Sequence, residues 1–130
     1  VDLVSFGDSF FPGADESVLT DSSIRTMFAP PAPPVWRNKA GKLEPVYYGC
    51  GWLVRQVQGD KKLNTWHGGR LAGTSTILVR RHDGFTWAVL FNIDQVGKVK
   101  KTSTSSLIDP LMHGAVNRVT KWPRGTALRK

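Results

Sequence analysis

Residues 73–92 read Gly-Thr-Ser-Thr-Ile-Leu-Val-Arg-Arg-His-Asp-Gly-Phe-Thr-Trp-Ala-Val-Leu-Phe-Asn, and their reading decides the fold. Gly73–Arg81 is β-branched and apolar, the composition of a strand. Phe85, Trp87, Val89 and Phe91 then alternate with other residues up to Asn92, as in a strand with one packed face. His82-Asp83-Gly84 between them predicts a hairpin, because Asp-Gly tolerates the positive φ of a primed turn. The alternation extends backwards. Tyr48, Cys50, Trp52 and Val54 recur with period two, which predicts a further strand from Tyr47. A short strand over Asn64–His67 precedes Gly68-Gly69, and Gln58-Gly59-Asp60-Lys61 reads as a turn. The centre of the chain, 47–93, is thus expected to be an antiparallel sheet of three to five strands.

Helical signals flank it. Leu3, Phe6 and Phe10 share one face, with Asp2 placed where a helix dipole favours a carboxylate, and Phe11-Pro12-Gly13 ends the run. Thr20 or Asp21 is a candidate N-cap for a second short helix through Ile24, Met27 and Phe28. Residues 1–28 are therefore expected to be helical. Pro30, Pro31, Pro33 and Pro34 put four prolines in five residues, which excludes helix and central strand and makes 29–46 an extended connection. Residues 94–106 are basic and Ser/Thr-rich, a loop. Leu107, Leu111, Ala115, Val119 and Trp122 recur at helical spacing, with Asp109-Pro110 as a possible start, so a helix is expected over 107–122. Residues 123–130 form a basic tail. The order predicts a single α+β domain, helices packed on an antiparallel sheet.

Composition narrows the chemistry. The chain has 130 residues, of which 40 % are hydrophobic, too many for intrinsic disorder. No apolar run approaches the ~18 residues of a membrane span. One cysteine, Cys50, rules out an internal disulfide framework and a cysteine zinc knuckle. The net charge of +8 is lopsided: residues 1–60 carry five basic and seven acidic side chains, residues 61–130 thirteen and three. Such a field attracts nucleic acid, acidic lipid or anionic polymer without choosing among them.

The common catalytic signatures are missing. There is no Gly-x-Ser-x-Gly elbow, phosphate-binding glycine loop, His-Glu-x-x-His helix or Ser-x-x-Lys. His67, His82 and His113 lack metal-ligand spacing, so no metal or cofactor is expected. What remains is Trp66-His67-Gly68-Gly69-Arg70. Two glycines at a strand end allow a ligand or another backbone close approach, and a histidine beside them can donate a proton or bind an anion. A simple β-bulge with His67 as an ordinary strand residue explains the same letters.

Four segments carry a resemblance. Tyr48-Gly49-Cys50-Gly51-Trp52, Trp66-His67-Gly68-Gly69, Gly73-Thr74-Ser75-Thr76 and Trp87-Ala88-Val89-Leu90-Phe91-Asn92 fall in the order and spacing of the serine β-lactamase-like hydrolases, the group of class C β-lactamases, D-alanyl-D-alanine carboxypeptidases and related esterases. Asp2-Leu3-Val4-Ser5-Phe6 resembles the helix that follows the family's Tyr-x-Asn motif, so the likeness spans roughly residues 1–122. It implies a partial lobe of the β-lactamase/transpeptidase type, with acyl transfer as the chemistry of the parent protein. His67-Gly68-Gly69 then stands as the third active-site motif. His67 supplies positive charge or a hydrogen bond, Gly69 leaves room for substrate along the strand, and the backbone N–H of Arg70 is an oxyanion donor.

Two departures qualify the expectation. Gly68 replaces the usual hydroxyl residue that helps hold a substrate carboxylate, which moves the expected substrate towards neutral esters. Ser-x-x-Lys and Tyr-x-Asn are absent, so the nucleophile is expected from a catalytic lobe ahead of Val1 in the same chain, and the 130 residues alone are expected to be inactive. The substrate implied for the parent is a small ester, amide or cell-wall-like compound, and its location periplasmic or exported. Two alternatives stand beside this: a non-catalytic binding or scaffold module, and a domain binding nucleic acid or another anionic surface. The second would use Lys98, Lys100, Lys101, Arg118, Lys121, Arg124, Arg129 and Lys130, but lacks the interleaved aromatics of single-strand readers, which argues against nucleic acid.

Overall fold

A computed structural model describes residues 2–15, 17–57, 62–96 and 102–121. Three helices, α1 (Asp2–Asp8), α2 (Asp21–Met27) and α3 (Thr104–Arg118), surround five strands, β1 (Val46–Tyr48), β2 (Leu53–Gln56), β3 (Leu63–Leu71), β4 (Thr74–Arg80) and β5 (Thr86–Phe91). The sheet is antiparallel throughout in the order β1-β2-β3-β4-β5. The fold is α+β.

Strand β4 is the axis. It is packed on both faces, and alternate side chains belong to two separate apolar clusters. Leu78 joins Phe10, Ile24, Phe28, Tyr47, Trp52 and Val54 beneath α1 and α2. Ile77 and Val79 join Trp87 under α3, whose inner face is Ile108, Met112 and Val116. Val54 and Ile24, 0 % and 1 % exposed, are the most deeply buried aliphatics of the first cluster, each worth about 1.5–3 kcal/mol of burial. Gly7 brings α1 close to the sheet, since a Cβ there would lie 2.7 Å from Thr86 Cγ2. Thr20 caps α2 by accepting from the Ser23 N–H, as its position before the apolar run predicts.

Several expectations are corrected. The alternating Tyr48-Cys50-Trp52-Val54 stretch is not one strand but a hairpin. Gly51 has φ +80°, Gly49 N–H donates to Trp52 O at 2.8 Å, and the chain reverses, leaving Tyr48 and Cys50 exposed while Trp52 and Val54 are buried. Gly68-Gly69 does not end a strand or form a bulge. Strand β3 runs through both, with Gly68 opposite Ile77 and Gly69 opposite Thr76. The β4–β5 connection is not a two-residue primed turn. Only Gly84 has positive φ, Gly84 N–H donates to Arg81 O, and Arg81 N–H closes onto Phe85 O, giving a three-residue loop. Asp83 takes Arg81 through two bonds of 2.9 and 2.6 Å. Burial alone would raise its carboxyl pKa, but the Arg81 guanidinium outweighs that and holds it below the usual value.

Helix α3 starts earlier than expected. Ser103 accepts from Ser106 N–H as its N-cap, so Pro110 lies inside the helix rather than at its first position. The stripe Leu107-Leu111-Val119 faces outwards, 48 %, 64 % and 40 % exposed, and the neighbouring stripe does the packing. Residues 58–61, Trp122 and the tail 123–130 lie outside the described residues, as do the basic loop's lysines, Lys98, Lys100 and Lys101.

The β1–β2 hairpin is seated on the end of α2. Cys50 N–H donates to Met27 O at 3.0 Å, and a Cβ on Gly49 would lie 2.6 Å from that same oxygen. Backbone cannot move aside as a long side chain can. Gly49→Ala is therefore expected to lower the stability of the chain by about 1–3 kcal/mol, read as a lower urea midpoint with an unchanged slope.

Candidate functional site

His67 sits in the middle of β3, opposite Leu78 and on the face covered by α1 and α2. Its side chain is exposed, and its Nδ1 lies 2.7 Å from Gly51 O. A carbonyl only accepts, which assigns the Nδ1 proton to that bond and leaves Nε2 as the nitrogen able to accept, or to donate once protonated. The Tyr48 hydroxyl lies 3.4 Å from the same Nδ1, and the two rings meet edge to face at 6.4 Å. The Tyr48–Trp52 hairpin and the His-Gly-Gly strand are therefore in direct contact. Gly51 orients the imidazole because its positive φ turns the chain at that point.

Beside His67 a cleft of about 440 Å³ opens between α1 and the sheet. Leu3, Phe6, Trp52 and Leu90 make it largely apolar, with His67, Thr76 and Cys50 among its other lining residues. Leu3, Phe6 and Leu90 are 43 %, 51 % and 63 % exposed.

The strand itself is one-sided here. Strand β2 pairs with β3 over Leu63–Trp66, whereas among the described residues His67–Leu71 pairs with β4 alone. Alternate N–H and C=O groups of an antiparallel strand point to opposite neighbours, so this half presents backbone hydrogen-bonding groups on an open side. The two glycines differ. A Cβ at Gly69 would lie 2.8 Å from Thr76 Oγ1, while one at Gly68 meets nothing nearer than 3.5 Å. Packing across the sheet accounts for Gly69, and nothing in the packing demands Gly68. The Arg70 side chain crosses to Asp94 Oδ2 (3.3 Å) and Gln95 Oε1 (3.2 Å), fixing the end of β3 to the segment after β5.

The other sequence candidates disperse. His82 bonds Asn64 Oδ1 through both its backbone N–H and Nδ1. His113 stacks edge to face on Trp87 at 4.8 Å, and burial leads the effects that lower its pKa. Among the described residues no group of three or more His, Cys, Asp or Glu side chains comes together. Of the proposed basic face, only Arg118 and Lys121 are among the described residues. Sequence reasoning did not find Gly51 O and the Tyr48 hydroxyl as partners of His67. The Tyr-Gly-x-Gly-Trp spacing was the signal available.

No protein-family model, curated protein or solved structure matches this chain.

The two glycines make a paired test. Gly69→Ala is expected to cost about 1–3 kcal/mol by forcing Thr76 to move. Gly68→Ala is expected to be neutral or to gain up to about 1 kcal/mol by removing glycine's entropy from a strand interior. Urea unfolding of both variants beside the parent checks this.

Proposed function

We propose that this chain is the sheet-bearing, C-terminal part of a serine hydrolase of the β-lactamase-like kind, and that His67-Gly68-Gly69 is its third active-site motif. The observation that carries the reading is the 2.7 Å contact between His67 Nδ1 and Gly51 O. Two of the four family-like segments, read independently along the chain, meet there at one end of an apolar cleft.

In this reading a serine from a catalytic lobe upstream attacks the carbonyl of a small neutral ester or amide lying along the open side of β3. The alcohol or amine leaves as the acyl-enzyme forms, and water later releases the acid. The backbone N–H of Arg70 stabilises the oxyanion, and His67 Nε2 faces the developing charge as the donor of the imidazolium cation. Gly68 adds no hydroxyl for a substrate carboxylate, which favours neutral substrates. Two surface features agree with a missing lobe. Strand β5 pairs with β4 alone among the described residues, leaving an edge on which further strands could add. Leu90 on that strand and Leu111 on the outer face of α3 are 63 % and 64 % exposed. A self-contained binding module would be expected to cap such an edge.

The test uses the intact native protein that carries these residues. A fluorescent β-lactam or fluorophosphonate is expected to label a serine upstream of Val1 and none within the 130 residues. His67→Ala in that protein is expected to slow acylation on the order of 10²-fold with its unfolding transition unchanged. A labelled serine within this chain, or unchanged acylation kinetics in the variant, overturns the assignment.

A further inference from the structure

A second cavity, larger than the cleft at His67, opens on the same side of the sheet. It lies towards the other end of the same face, about 510 Å³, within the ~300–1,000 Å³ usual for small-molecule sites. Its walls are aromatic and aliphatic, chiefly Phe10, Phe11, Phe28, Leu43 and Tyr47. Its charged lining is one-sided. Among the described residues, Arg25, Lys62, Arg80 and His82 border it and no Asp or Glu does.

Arg80 is the unusual member. It is 4 % exposed, its Nη1 donates to Thr65 Oγ1 at 3.1 Å, and its Nη2 donates to Phe10 O at 2.8 Å. Phe11 and Phe28 lie against the guanidinium at 4.1 and 5.3 Å. Its Nε–H is buried with no partner, and among the described residues no carboxylate reaches the group within 4 Å. Burial lowers its pKa to about 10 and Asp8 raises it from a distance, so the charge persists at neutral pH. A buried cation with one donor unused and no counter-ion is costly to keep unless something supplies the anion. Both partners it does have are neutral oxygens.

We propose that this cavity binds an amphipathic monocarboxylate, its carboxylate paired with the Arg80 guanidinium and its apolar tail lying among Phe10, Phe28, Leu43 and Tyr47. Arginine suits the role because it stays charged when desolvated and its planar fork matches a carboxylate. The site is separate from the His67 cleft, sharing only the wall formed by Phe10, and does not depend on the hydrolase reading.

Isothermal titration of the 130-residue chain with decanoate, decanol and decylamine, each below its micelle concentration, tests it. Decanoate is expected to bind saturably at one site, at least tenfold more tightly than decanol, with decylamine weaker still. Arg80→Gln is expected to abolish the preference for the acid. Because that variant can fail to fold, Leu43→Trp, which fills the cavity from its rim and leaves Arg80 in place, is expected to weaken decanoate at least tenfold while the chain unfolds cooperatively. Equal binding of acid and alcohol, binding of none of the three, or decanoate affinity unaffected by Leu43→Trp overturns the proposal.

Discussion

The two-sided burial of β4 is the constraint on which the other elements depend. A central antiparallel strand packed on both faces needs cover on both, and its apolar run Ile77-Leu78-Val79 demands it. One face draws in α1, α2 and the hairpin residue Trp52; the other draws in α3. Once those are seated, the register sends His67 to the helix-covered side and Gly69 against Thr76. Shifting β3 by one residue would put His67 on the α3 face and undo both.

What was legible in the sequence follows from how local each signal is. The β4–β5 pair could be read because alternation and an Asp-Gly turn lie within twenty residues. Its loop type could not, because the choice between a primed turn and a three-residue loop is settled by which pair closes it, Arg81 with Phe85. Tyr48-Gly49-Cys50-Gly51-Trp52 reads as a strand since a tight turn with glycines two apart mimics period two. Only the docking of Cys50 N–H on Met27 O, from a helix more than twenty residues earlier, reveals the reversal. In α3 the stripes Leu107-Leu111 and Ile108-Met112-Val116 have the same spacing, and the choice between them is made by the sheet underneath.

The same distinction governs the site. His67 stood out as a histidine beside two glycines, a pattern of side chains. Its partner is a backbone carbonyl, which every residue carries, so no letter could announce it. Arg80 is the reverse case. Its letter is plain, yet nothing local marks Arg80 or Arg81, at the end of the expected strand Gly73–Arg81, as buried. Burial of both arginines comes from elements distant in sequence: Phe10, Phe11 and Phe28 close over one, and His113 and Asn117 of α3 over the other.

His67 and Arg80 share a face of neighbouring strands. Thr65 opposes Arg80 and His67 opposes Leu78, so the two rows are about 7 Å apart at ~3.3 Å per residue. Between them Leu78 and Trp52 pack with Phe10, whose ring meets Trp52 at 5.5 Å. This wall divides one sheet face into two environments. At one end an exposed imidazole meets solvent, its Nδ1 held by the Gly51 carbonyl. At the other end a buried guanidinium, its pKa lowered to about 10 by burial, still carries its charge at neutral pH, which suits a group that holds an anion without exchanging protons with it.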